Sequence, residues 1–313
     1  MSESPRKPEQ ILRRIEWTVI RRLDGMLHGN YRTLFRGVGM DLAGLREYQF
    51  SDDVRHIDWN VTARLQVPHV RQFNEDREVT AWFLLDLSPS VDFGSVQMKK
   101  RSVLIDAVTT LGRLLTRHGN KVGVLCYGGD VDMVIPAQGG RRHVLHIIST
   151  LLNRPELPAA HATDLKEFLE TAAQVVRRRS LVFLMSDFIS APGWAKPLAQ
   201  LSRRHEIIAV RLFDPLEMNL PNLGLLVMQD SETGEQILVD THDKKFRERF
   251  AEAAERREAE LRTSLQHAGV DTLELATDDD LADAIFRFAE MRKRRSSLTG
   301  GGTTRGAHGL SVA

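Results

Sequence analysis

Cysteine is nearly absent: in 313 residues only Cys126 carries a thiol. No internal disulfide can form, and a thiolate cluster around zinc is excluded. Cys126 lies in the apolar run Val122-Gly-Val-Leu-Cys-Tyr127, the setting of a buried, inert thiol rather than a reactive one. Aromatic residues are also scarce, at 6%, which argues against a surface on which nucleic-acid bases stack. Neither sign of charge is in excess, with 43 Lys and Arg against 42 Asp and Glu. Such a balance supplies no global field for a polyanion, so no nucleic-acid partner is expected. Long apolar runs are missing too. Nothing approaches the roughly 18 apolar residues of a membrane span, and Met1–Pro8 contains no signal-peptide core. The expectation is a cytoplasmic protein.

What is present is patterned. Between Glu9 and Leu27, apolar residues recur at Leu12, Ile15, Val19, Leu23 and Met26, the three-to-four spacing of an amphipathic helix. Arg13, Arg14, Arg21 and Arg22 fall off that stripe. Either the helix docks on the core with its arginines in solvent, or its basic face meets a partner. Residues 31–80 are rich in Gly, Arg and Asp, have no long helical period, and alternate like strands from Val67 to Val79. This predicts an irregular or β-rich segment, which with the helix makes an N-terminal unit over 1–79.

From Thr80 the chain alternates between short apolar runs and helical stretches. Strands are expected at Ala81–Asp86, Lys121–Tyr127, Val131–Ile135, Leu181–Asp187 and Glu206–Leu212. Helices are expected from about Val96 to Arg117 and over Arg142–Leu152, Asp164–Val176 and Trp194–Arg204. That order predicts a doubly wound α/β core over 80–213, mostly parallel, with helices on both faces. Residues 214–294 read as a C-terminal extension of the core. It comprises a strand pair turning at Ser231–Gly234, a long charged helix over Lys244–His267, a strand at Thr272–Leu275 and a helix at Asp280–Arg292. The Ser-, Thr- and Gly-rich residues 295–313 predict a disordered tail.

The most informative chemistry closes the first buried strand: Asp86-Leu-Ser88-Pro-Ser90. In open α/β sheets, ligands bind where the carboxyl ends of strands meet the crossing loops. A carboxylate and two hydroxyls at that spacing are hard oxygen donors suited to Mg²⁺ or another divalent cation. Asp187, at the end of a second buried strand, and Thr163, at a helix entry, are placed to complete the shell. Each also has a purely structural reading: Ser88, Ser90 or Thr163 as a helix cap, Asp187 as a cap of its loop. Asp86–Ser90 resembles the metal-ion-dependent adhesion site of von Willebrand factor A domains. There, Asp-x-Ser-x-Ser, a Thr and a later Asp hold a divalent ion. The resemblance implies Asp86, Ser88, Ser90, Thr163 and Asp187 as metal ligands.

A longer signature lies upstream. Arg36-Gly-Val-Gly39, Arg46-Glu-Tyr48, Asp52-Asp53-Val-Arg55, Ile57-Asp58-Trp59, Ala63-Arg64, Val70-Arg71-Gln-Phe73 and Glu75-Asp-Arg-Glu78 run directly into the Asp-x-Ser-x-Ser. Later pieces are Ser186-Asp187-Phe188, Arg204-His205-Glu206, Asp214-Pro-Leu-Glu217 and Asp230-Ser-Glu-Thr-Gly-Glu235. Together they resemble the bacterial family called domain of unknown function 58, over roughly residues 30 to 293. Ser51, where Gly is expected, and Val91, where Met is common, are the departures; neither removes a candidate ligand. Physically, Arg46, Asp52, Asp53, Arg55, Asp58, Trp59 and Arg64 form either a salt-bridged network fastening the segment to the core or a partner-facing surface.

The resemblance implies a von Willebrand-like, non-catalytic interaction module, an adaptor or co-chaperone of a MoxR-type AAA+ ATPase acting on a client protein in complex maturation or stress response. The alternative is a metal-dependent phosphoesterase or nuclease. Against it stand a shell with only two carboxylates and no distinctively spaced base, and no Gly-x-x-x-x-Gly-Lys-Ser/Thr loop for nucleotide phosphates.

Overall fold

The computed structural model describes residues 7–27, 45–49, 59–71, 79–94, 98–155, 157, 163–229 and 234–299. The chain opens with α1 (Pro8–Ile15), a π-helical turn (Glu16–Ile20) and α2 (Arg21–Met26), one continuous helical run. Then come β1 (Leu45–Glu47), α3 (Trp59–Leu65) and β2 (His69–Arg71), with β1 and β2 paired antiparallel. The central elements are β3 (Thr80–Asp86), α4 (Lys100–Arg117), β4 (Lys121–Tyr127), β5 (Val131–Gln138) and α5 (Arg141–Asn153). They continue through α6 (Leu165–Val175), β6 (Leu181–Ser186), α7 (Ala195–Ser202) and β7 (Glu206–Phe213). The chain then forms the antiparallel pair β8 (Leu225–Gln229) and β9 (Gln236–Asp240), α8 (Lys244–His267), β10 (Asp271–Ala276) and α9 (Leu281–Thr299).

Six strands form one sheet in the order β10-β7-β6-β3-β4-β5, with β5 alone antiparallel to its neighbour. The apolar runs are central because successive side chains enter two separate cores. From β3, Ala81, Phe83 and Leu85 join a core with α1, α4, α5 and α9, whereas Leu84 points into a second core with α6, α7 and α8. Each fully buried Leu or Phe contributes on the order of 1.5–3 kcal/mol. This is the doubly wound α/β architecture expected from the alternation. β10 reaches the same sheet parallel to β7, from Asp271 opposite Ile208 to Ala276 opposite Phe213.

Close sheet packing fixes one glycine. Gly123 on β4 stands opposite Trp82 on β3, and a Cβ there would lie 2.9 Å from the indole ring. The N-terminal helix docks on the core, with Ile11, Leu12, Ile15, Ile20 and Leu23 buried. Two of its four off-stripe arginines are tied to the rest of the chain, Arg14 to Asp106 and Arg22 to Asp280 and Asp283.

Three expectations need correction. Residues 59–65, inside the segment expected to be irregular or β-rich, form the helix α3. The first residues of the expected tail, 295–299, continue α9, because the helix gains ion pairs beyond its apolar pattern, Arg292 and Arg295 both meeting Asp271. Residues 300–313 lie outside the described residues. The helix expected from about Val96 begins at Lys100, with Lys99 extended and 95–97 not described. Much of the expected Ser231–Gly234 turn also lies outside the described residues.

Candidate functional site

Strand order places the site. From β3 the chain steps to β4 on one side and later returns to β6 on the other, so the order reverses between β3 and β6. α4 packs in one core and α7 in the other, which makes the carboxyl ends of these strands the switch point at which open α/β sheets bind ligands. Asp86 ends β3 and Ser186-Asp187 ends β6 at the same level, since Leu85 pairs with Met185. Both aspartates are buried.

Asp86 is held on both oxygens. The Ser88 backbone N–H donates to Oδ1 at 3.0 Å, and the Ser186 hydroxyl donates to Oδ2 at 2.6 Å. Burial, then the neighbouring charge of Asp187, pushes the Asp86 carboxyl up to about 6, against the serine hydrogen bonds that favour the anion. Ser88 precedes a 3₁₀ turn (Pro89–Asp92) without capping it through its side chain; its Oγ lies 3.1 Å from Ser90 Oγ.

Asp187 is differently placed. Its Oδ1 accepts the Ile189 N–H at 3.0 Å, so it does cap its loop, while Oδ2 accepts the Lys100 ammonium at 2.8 Å. Burial works against its charge, but Lys100 overcomes burial and, with the Ile189 N–H and the field of Arg211, holds the carboxyl below the ordinary range. The next residue, Phe188, has φ +56°, a left-handed conformation uncommon for a bulky residue. Its N–H donates to Ser186 Oγ at 2.8 Å, so one serine hydroxyl ties the strained turn to Asp86.

Thr163 is buried at the same end of the sheet. It is not the cap of α6: Asp164 is, accepting from the N–H groups of Lys166 and Glu167. The Thr163 carbonyl accepts from Ser190 Oγ and the Ala191 N–H, both at 2.9 Å, which binds the loop after β6 to the entry of α6. The Tyr127 hydroxyl, at the end of β4 opposite Asp86, accepts the Asp164 N–H at 3.0 Å. All five candidate ligands therefore gather at one end of the sheet.

The donor set fits a small divalent cation. At a Mg–O distance of about 2.1 Å, adjacent ligands of an octahedron lie about 3 Å apart, close to the observed separation of the two serine hydroxyls. The Asp86 carboxyl, raised by burial and by the charge of Asp187, would also be relieved by a cation. Among the described residues no group of three or more His, Cys, Asp and Glu is arranged to hold a metal, so an ion here depends on hydroxyl ligands.

The upstream residues are placed less fully. Arg46 lies on β1 opposite Val70, Trp59 opens α3 and is 69% exposed, and Arg64 near the end of α3 is exposed. Asp52, Asp53, Arg55 and Asp58 lie outside the described residues. Three participants at the site had no assigned role in the sequence. Ser186 and Glu217 stood inside noted motifs. Lys100 gave no signal at all, since a lysine within three consecutive basic residues, Lys99-Lys-Arg101, is ordinarily solvated.

A doubly wound α/β domain with an oxygen-donor cluster at its switch point defines the class of protein. The chain belongs to the family described as "Protein of unknown function DUF58", whose match covers residues 44–260. It is 37% identical over 289 residues to the uncharacterized proteins Mb1516 of Mycobacterium bovis and Rv1480 of Mycobacterium tuberculosis, covering 92% of this chain and 90% of each relative. The uncharacterized protein MAV169 of Mycobacterium avium is 33% identical over 166 residues, 53% of this chain and 97% of that protein. Among solved structures, BatB from Bacteroides thetaiotaomicron is similar with a TM-score of 0.44 at 14% identity. An aerotolerance-related membrane protein from Bacteroides fragilis is similar with a TM-score of 0.47 at 14% identity. Each of these two similarities covers 69% of this chain and 99% of the other. No helix among the described residues is long and apolar enough to cross a membrane.

Proposed function

We propose that this chain is a cytoplasmic, non-catalytic, metal-dependent protein-interaction module, an adaptor or co-chaperone of a MoxR-type AAA+ ATPase acting on a client protein in complex maturation or stress response. The observation that carries this reading is the convergence of Asp86, Ser88 and Ser90 with Asp187 and Thr163, all buried, at one end of the sheet. Asp86, the two hydroxyls and Asp187 would hold Mg²⁺ or a similar ion, with Thr163 beside them. Held by two carboxylates and neutral hydroxyls, such an ion would leave a position open to an Asp or Glu of a partner. The chain's own part is to keep these donors oriented: Ser186 and the Ser88 N–H fix Asp86, and the Ile189 N–H fixes Asp187. The partner assignment rests on the family resemblance.

The test is a calorimetric titration of Mg²⁺ into the protein and into Asp86→Ala, with and without a MoxR-type ATPase from the same cell. The expected result is metal uptake lost in the variant, together with ATPase binding that requires the metal. Uptake by neither protein would overturn the metal reading, and metal-independent association would overturn the gating.

A further inference from the structure

Lys100 is the first residue of α4, where the helix dipole disfavours a cation, and its side chain is 0% exposed. A buried lysine in that place persists only if carboxylates hold it. Two do: its Nζ donates to Asp187 Oδ2 at 2.8 Å and to Glu217 Oε1 at 2.7 Å. Burial opposes the charge, and the two carboxylates more than restore it, raising the ammonium above its ordinary range. The backbone is fixed as well. The Lys100 N–H donates to the Phe93 carbonyl at 3.0 Å, and a Cβ on Gly94 would lie 2.4 Å from the Lys99 Cα.

Glu217 in turn belongs to a built turn. Its Oε2 accepts the Asp214 N–H at 2.9 Å, and Asp214 accepts from the Leu216 N–H at 2.9 Å and from Thr277 Oγ1 at 2.7 Å. Asp214 follows β7 and Thr277 follows β10, so one ammonium links the end of β6 to the ends of the two strands beyond it.

We propose that Lys100 is a positioning residue that competes with a divalent cation for Asp187, with Glu217 as the counter-charge that keeps the ammonium when Asp187 turns to the metal. The inference rests on the reading of this cluster as a divalent-cation site. It follows from the geometry because Asp187 Oδ2 cannot serve both cations at full strength. With Glu217 present, Lys100 gives up Asp187 and still keeps one buried partner. Without Glu217, the same step would leave a buried cation unpaired. The two substitutions therefore act in opposite directions, which a general loosening of the fold would not produce.

The experiment is calorimetric titration of Mn²⁺ and Mg²⁺ into the full chain, into Lys100→Met and into Glu217→Gln, with thermal unfolding at several metal concentrations as a second readout. Lys100→Met is expected to bind metal about tenfold more tightly, and Glu217→Gln about tenfold more weakly, the scale of one charged hydrogen bond. The metal-induced rise in Tm should follow the same order. If Lys100→Met does not fold, Glu217→Gln decides alone: unchanged or tighter binding overturns the proposal. Metal uptake by the unaltered chain with equal affinity in both variants overturns the role of Lys100 and leaves the site standing. Uptake by none of the three proteins overturns both.

Discussion

The hydroxyl of Ser186 donates to Asp86 Oδ2 at 2.6 Å, joining the ends of β3 and β6 across the point where strand order reverses. The same oxygen accepts the N–H of Phe188 in its left-handed conformation, so one small side chain supports both a candidate ligand and the turn carrying Asp187. Ser186→Ala leaves a buried carboxylate oxygen without that donor. It is expected to lower unfolding stability by about 1.5–3 kcal/mol. Urea denaturation checks this, and a change within error would mean that Asp86 is held by its other contacts alone.

The sheet tolerates no side chain at Gly123. Valine there would press on the Trp82 ring, already 2.9 Å from where a Cβ would stand. Overpacking of this kind costs about 1–3 kcal/mol. Gly123→Val should unfold earlier in urea, and Gly123→Val with Trp82→Leu should recover part of the loss.

Cys126 is buried, and burial pushes its thiol up to about 12. The thiolate is the reactive species, so iodoacetamide at pH 8 should leave the native protein unmodified over hours. The same reagent should label one site per chain after denaturation. Rapid labelling of the native protein would show that β4 opens readily.

His143 is buried on α5, with its Nε2 2.7 Å from the Val122 carbonyl, and burial lowers its pKa below 6.5. His205 is lowered in the same direction by burial, with the charge of Arg204 adding to it. For a group whose pKa falls on folding, the unfolded chain takes up protons first as pH drops. The stabilisation is complete above 6.5 and is lost progressively as pH falls from there toward the folded-state value. Stability should therefore decline on acidification below pH 6.5, and His143→Gln should flatten that decline. An unchanged slope between pH 7 and 5 in the variant would assign the effect elsewhere.

The N-terminal helix is held by its apolar face rather than by its arginines. Leu12 is fully buried, and Leu12→Ala should cost about 2–5 kcal/mol. Arg22, in an exposed pair with Asp280 and Asp283, should be replaceable by alanine with no measurable change at physiological salt. An equal loss in the Arg22 variant would show that the ion pairs fasten the helix as much as the core does.

Much of this architecture is legible along the chain because strand and helix periodicities are local properties. The runs at Ala81–Asp86, Lys121–Tyr127, Leu181–Asp187 and Glu206–Leu212 read directly as the strands observed, and Lys244–His267 reads as α8. Where local pattern was weak, the reading failed. The short helix α3 has no extended apolar stripe to announce it, and the end of α9 is carried by arginines that find Asp271 only in the folded chain.

The candidate site divides in the same way. The sequence by itself determined which oxygen donors stand at strand ends, because Asp86, Ser88, Ser90 and Asp187 each close or follow an apolar run. Only the tertiary structure decided what those carboxylates face. Lys100 looks like any solvated lysine until β6 and the turn after β7 bring Asp187 and Glu217 to within 2.8 Å of its ammonium. The charge state and partners of a buried group depend on what distant segments place beside it and on the water they remove. No spacing along the chain encodes either.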